Sequence, residues 1–165
     1  MESRLQPLAA IYELNTDLLG NCVEGLTDDD AGRRLAGGGN SIAFLVAHLT
    51  DARHFLAALL GAPLPNPVGD ALADVQSIEE VETMPPLAEL LAAWRTVSGH
   101  LAAVFARLTS AELDAQVRPS FPVGGDRAVD AVTFLAQHDS YHLGQIAFLR
   151  RQIGLRAMRY DRPGA

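Results

Sequence analysis

The feature that most constrains this chain is the imbalance between helix-forming and β-branched residues. Ala and Leu together supply 50 of 165 positions, whereas Val, Ile and Thr together supply 23. Ala and Leu lose little on entering a helix, and β-branched residues are the ones that favour strands. An all-α fold is therefore expected. At this length one domain spanning residues 1–165 is expected, and it can bury a core without disulfides or metal staples.

Apolar periodicity and breakers divide the chain into four long helices, predicted at about 4–25, 40–61, 87–108 and 126–152. The first places Leu8, Tyr12, Leu19, Val23 and Leu26 on one stripe, and Ile11, Leu14, Leu18 and Cys22 widen it, so this helix has more than one neighbour. Thr27–Asp30 and Thr109–Glu112 read as capped short turns. The run Gly37–Gly39 breaks the chain before Asn40 or Ser41 caps the second helix. Residues 62–86, acidic and rich in Pro, are far too long for a tight turn and imply a crossover along the bundle between helices two and three. Pro85 and Pro86 open the third helix, and an irregular stretch with Pro119, Pro122, Gly124 and Gly125 precedes the fourth.

Charge narrows the function. All 13 basic residues are Arg, so Schiff-base and P-loop lysine chemistry are excluded. A net charge of −7 is a poor match to a phosphate backbone, which disfavours nucleic-acid binding. Cys22 is the single cysteine, it sits among Leu18, Leu19 and Val23, and it reads as a packing residue in a reducing compartment. Met1–Pro7 has no apolar leader pattern and no apolar run reaches about 18 residues. The expectation is a cytoplasmic protein without a membrane segment.

Five histidines remain. Turning each position by 100° places Ala131, Phe134, Leu135, His138, His142, Gln145, Leu149 and Ile153 near one line of the last helix, so two imidazoles and an amide interrupt an apolar stripe. On the second helix Phe44, Leu45, His48, Ala52, Phe55 and Leu59 form the facing stripe. His54 and His100 fall off their inward faces and are expected in solvent. Three inward imidazoles must satisfy one another, find other polar partners or bind something. His138 and His142 stand at i, i+4, the spacing that lets two ring nitrogens converge on one metal ion. An antiparallel pairing of helices two and four brings His48 to their level. On pattern alone, a metal site and a satisfied histidine cluster remain open.

The stretch His138-Asp139-Ser140-Tyr141-His142-Leu143-Gly144-Gln145-Ile146, followed by Arg150, Arg151 and Gly154, closely resembles the terminal-helix signature of the DinB/YfiT-like superfamily. Asn40-Ser41-Ile42-Ala43-Phe44-Leu45-Val46-Ala47-His48-Leu49 resembles that family's second-helix motif. The resemblance implies a four-helix bundle of up-down-down-up type and a divalent metal, Zn or Ni, held by His48, His138 and His142. It also implies an enzyme. The expected activity is transfer to a low-molecular-weight thiol such as bacillithiol or mycothiol, with the metal-activated thiolate as nucleophile; hydrolysis by metal-bound water, or a non-catalytic metal-binding bundle, are the alternatives.

Around that set, Gln145 can orient a ligand or join two helices; Tyr141 reads first as a bundle-edge tyrosine and second as a proton donor near the site; Asp51 reads first as exposed surface charge and second as a fourth ligand or an outer acceptor. Arg150 and Arg151 complement the dipole of the last helix. Residues 62–86 and 116–126 are expected to wall a pocket for a small molecule. The breadth of helix one suggests a homodimer.

Overall fold

The computed structural model describes residues 1–35, 38–73, 78–81 and 83–160. Gly37 of the glycine run and residues 74–77 and 82 of the long connection lie outside that set.

The four long helices are α1 (Gln6–Val23), α3 (Ile42–Leu59), α5 (Leu87–Arg107) and α7 (Ala128–Gln152). Short helices fill three of the connections: α2 (Asp28–Gly32), α4 (Gly69–Leu72) and α6 (Ser110–Asp114). The starts follow from the capping residues. Thr27 and Thr109 accept from the backbone N–H three residues on, at Asp30 and Glu112, and those carboxylates return the bond, forming two capping boxes. Ser41, not Asn40, caps α3 by accepting from the Phe44 amide at 3.2 Å. Pro86 precedes α5, where its missing N–H costs nothing. Before α7, Gly124 adopts φ +75°, and a Cβ there would run into the Asp130 carboxylate.

Around the bundle α1 neighbours α5 and α7, and α3 neighbours the same two, so α1 and α3 face each other across the diagonal. The widened apolar surface of α1 thus serves two neighbours within one molecule. Side-chain pairs set the directions. Tyr12 donates to the Val132 carbonyl and Asn15 to that of Ala136, so α1 and α7 run parallel. Leu45 lines a cavity with Gln145 and Leu149, whereas Arg53 bonds Asp139, so α3 and α7 run antiparallel. The order is up-down-down-up, with the long connection as the crossover between α3 and α5.

The core is split into two apolar clusters. One gathers Leu19, Cys22, Leu45, Leu49, Leu90, Trp94 and Ile146; the other gathers Leu5, Tyr12, Leu56, Leu101, Phe105, Leu113 and Val132. Between them lies a polar layer centred on Arg53, which is 2% exposed. Its Nε and Nη2 donate to Asp139 Oδ2 at 2.9 and 2.8 Å, and its Nη1 donates to Thr16 Oγ1 and Ser98 Oγ. Nη2 also reaches the Tyr12 carbonyl, and the guanidinium lies 3.6 Å from the Trp94 ring centroid. This pair ties α3 to α7.

α3 is long and apolar enough to cross a membrane by length and composition, but 61% of it is buried in the bundle and it carries Arg53. Its apolarity is that of a core helix. His54, expected in solvent, is buried and donates from Nδ1 to the Thr50 carbonyl at 2.9 Å; α3 is the most enclosed helix, and its inward face extends beyond the predicted stripe. Phe55 of that stripe is instead 41% exposed. His100 is half-buried and donates from Nε2 to the Ala62 carbonyl at 2.7 Å, fastening the crossover to α5. Arg150 is also buried: it donates to the carbonyls of Cys22, Glu24 and Arg156, so it satisfies the C-terminal end of α1 more than its own helix dipole.

Candidate metal centre

The most buried line of α7 runs through Val132, Asp139, Leu143 and Ile146. His138 and His142 each precede a residue of that line by one position, a 100° turn, so they stand at its edge and are half-buried. On α3, His48 flanks the fully buried Leu45 and Leu49 in the same way. Antiparallel packing closes the two edges on each other. The three rings meet with centroids 4.9 Å apart for His48–His138 and for His48–His142, and 4.5 Å apart for His138–His142. One ring nitrogen from each lies within 4.8 Å of the others, and His48 Nε2 and His138 Nε2 are 3.0 Å apart.

Burial holds all three imidazoles below the ordinary histidine range. For His138, desolvation and then the neighbouring His142 and His48 lower the pKa to about 4. Desolvation dominates for His48 as well, reinforced by His142 and opposed by Asp51. His142 is lowered by desolvation against the opposing bond to Gln145. The cluster is therefore neutral at physiological pH, with lone pairs available.

Gln145 Oε1 accepts from His142 Nδ1 at 2.7 Å, which fixes the ring orientation and leaves Nε2 unprotonated. His138 Nδ1 is buried without a hydrogen-bond partner among the described residues, so its tautomer follows whatever its Nε2 meets. Tetrahedral coordination with metal–nitrogen bonds of about 2.0–2.1 Å separates ligand nitrogens by about 3.4 Å, so modest ring rotation brings these nitrogens to that spacing. Three neutral imidazoles fit a borderline divalent ion and leave coordination positions open.

Tyr141 is 58% exposed, with its ring centroid 5.0 Å from that of His142. Asp51 lies outside the cluster; its Oδ1 accepts from Asn66 Nδ2 at 2.7 Å, which anchors the crossover. Cys22 is fully buried, and burial pushes its thiol up to about 11, so it packs and does not attack. Trp94 is core, as its periodicity predicts. Beside the cluster a cavity of about 580 Å³ opens between Leu45, Tyr141, Gln145, Phe148, Leu149 and the Gly38–Asn40 segment. Residues 116–126 contribute Phe121, which packs near the opposite side of the histidines.

Arg53 and Asp139 carry a signal that a rotation of the histidines alone does not reveal. Asp139 stands four residues after Leu135 and four before Leu143, so the same 100° rule puts it deeper than either clustered histidine of that helix.

The fold and site define a class: an up-down-down-up four-helix bundle with a three-histidine cluster across its two antiparallel helices. The chain belongs to the DinB superfamily, whose model matches residues 11–146. Among curated proteins it is 27% identical over 150 residues to a Geobacillus kaustophilus protein provisionally named metal-dependent hydrolase GK0616, covering 89% of this chain and 84% of that one. Among solved structures it resembles a conserved Enterococcus faecalis protein (TM-score 0.74, 12% identity, 92% and 96% of the two chains). It also resembles YfiT from Bacillus subtilis, described as having an unusual four-helix-bundle topology (TM-score 0.68, 18% identity, 94% and 91%). A DinB-like protein from Bacillus cereus aligns over 100% of this chain and 97% of its own (TM-score 0.68, 18% identity). At these identities the structural likenesses establish the fold.

Proposed function

We propose that the protein is a divalent-metal-dependent hydrolase of a small molecule, with His48, His138 and His142 as the metal ligands. The observation that carries this reading is the convergence of three neutral imidazole nitrogens within 4.8 Å from two antiparallel helices. When bound there, Zn or Ni supplies Lewis acidity, which lowers the pKa of a coordinated water or thiol and polarises a carbonyl. The remaining work belongs to the chain. Gln145 holds His142 in the ligating tautomer. Burial by α3 and α7 keeps the three rings uncharged. Tyr141, the titratable group among the described residues lining the cavity, packs against His142 and is the candidate donor of a proton to a leaving group.

The thiol transfer suggested by the sequence requires a place for the thiol. Bacillithiol and glutathione carry carboxylates, whereas the side chains lining the cavity among the described residues are uncharged and the nearby Arg34 is bonded to the Gly39 carbonyl, which favours hydrolysis. The name of the Geobacillus relative points the same way.

Zinc-loaded protein assayed with p-nitrophenyl esters, and titrated calorimetrically with bacillithiol, mycothiol and glutathione, tests this reading. Ester turnover that disappears with a chelator and in the His48→Ala, His138→Ala variant, without thiol binding, is expected. Metal-dependent binding of one of the thiols, without ester turnover, establishes transfer instead.

A further inference from the structure

Aromatic residues are scarce in this chain: six Phe, three Tyr and one Trp. Six of these ten surround the histidine cluster. Each imidazole has its own aromatic neighbour. The Phe44 ring lies parallel to that of His48 at 6.2 Å, Phe134 lies 6.3 Å from His138, and Tyr141 meets His142 edge-on. Beyond Phe134 the series continues through Phe121 to Phe55, with centroids 5.7 and 6.5 Å apart. On the other side of the cluster Phe148 joins Tyr141 in the cavity wall.

Packing does not account for all of them. Phe55, Tyr141 and Phe148 are 41%, 58% and 59% exposed, whereas the aromatic residues of the core, Tyr12, Trp94 and Phe105, are buried. Phe55 ends the series on the far side, whereas Tyr141 and Phe148 share one wall beside His142, and exposed rings that share a wall mark a binding surface. The surface is concave, and its cavity of about 580 Å³ falls in the range that encloses a small molecule. Its described lining is uncharged, offering Asn40, Gln145 and the Tyr141 hydroxyl as polar groups. The cavity borders the cluster through two of its wall residues: Gln145 accepts from His142 Nδ1, and the Tyr141 ring packs edge-on against the His142 ring.

We propose that the site takes an uncharged substrate bearing a planar aromatic ring, which packs against Phe148 and Tyr141 while its reacting group faces the three histidines. This rests on the metal-dependent reading above and adds the substrate class to it. An offset or edge-on ring contact selects a planar group over an alkyl group of similar polarity. The side chains of the described wall are uncharged, and the nearby guanidinium of Arg34 is engaged with the Gly39 carbonyl, so an uncharged ring suits the wall.

Hydroxamates separate the two readings, because they bind through the metal and differ only in the attached group. Zinc-loaded full-length protein is titrated calorimetrically with benzohydroxamate and acetohydroxamate, and the Phe148→Ala variant is titrated in parallel. Phe148 is exposed, so the substitution spares the core, and circular dichroism checks the fold. In the wild type benzohydroxamate is expected to bind about tenfold more tightly, and in Phe148→Ala the two are expected to fall within about twofold of each other. Equal affinities in the wild type, or an unchanged preference in Phe148→Ala, overturn the proposal while leaving the metal site intact. Failure of both hydroxamates to bind zinc-loaded protein overturns the metal-dependent reading itself.

Discussion

Replacing Asp139 with Asn removes the charge partner of a guanidinium that the bundle cannot return to water. Arg53 would keep three neutral acceptors, Thr16 Oγ1, Ser98 Oγ and the Tyr12 carbonyl, together with the Trp94 ring. Breaking a buried pair from one side costs about 3–5 kcal/mol, and the surviving acceptors place Asp139→Asn near the lower end, about 3 kcal/mol. The loss is large against a domain stability of about 5–15 kcal/mol. Arg53→Met carries a different signature, because arginine does not shed its proton in a protein but a stranded carboxyl takes one up. Burial already pushes the Asp139 carboxyl above its usual range against the pull of Arg53. Without Arg53 that carboxyl has a raised folded pKa, so the penalty is full above that pKa and shrinks as pH falls through it. Urea denaturation of both variants at pH 5 and 7.5 reads these effects. The Arg53→Met, Asp139→Leu double variant closes the cycle and is expected within about 1 kcal/mol of wild type, since apolar replacement of a buried pair is often neutral or stabilising. A cost below about 1 kcal/mol for Asp139→Asn, or a double variant as unstable as the two single losses added, refutes the reasoning.

Gln145→Leu removes the acceptor that holds His142 and is expected to weaken zinc binding by about 10–100-fold in a chelator competition, with the melting temperature of the metal-free protein little changed; unchanged affinity contradicts the orienting role. In metal-free protein the depressed pKa of the histidines means that the unfolded chain binds more protons between about pH 4 and 6.5, so stability is full above pH 6.5 and declines as pH falls towards 4. His138→Leu should flatten that decline, and denaturation curves of equal pH dependence in the two proteins count against neutral clustered imidazoles. Cys22, buried and with its thiol pushed up to about 11, should resist a disulfide reagent at pH 8 until urea unfolds the chain; rapid native labelling contradicts its packing role.

Much of this architecture is legible in the residues because helix signals are local. Ala and Leu periodicity, with Ser41 and Pro86, places the long helices within a few residues, and two Thr capping boxes mark the short helices α2 and α6, since a cap acts on the next turn alone. The three histidines are legible for a similar reason: i, i+4 spacing is an intrahelical fact, and antiparallel pairing supplies the third. Burial depth is less legible. Rotation about one helix gives direction and not distance, and α3, wedged between α5 and α7, buries His54, which a single-stripe reading leaves in solvent. The Arg53–Asp139 pair joins residues 86 apart in sequence, so neither signals the other. Arg150 reaches back to the end of α1, a partner that depends on parallel packing of the first and last helices.

The central claim is that His48, His138 and His142 form one metal site, and the metal content of purified protein tests it most directly. Elemental analysis after zinc loading and desalting is predicted to find stoichiometric zinc in the wild type and essentially none in a folded His48→Ala, His138→Ala variant. Equal metal content in the two proteins contradicts the account.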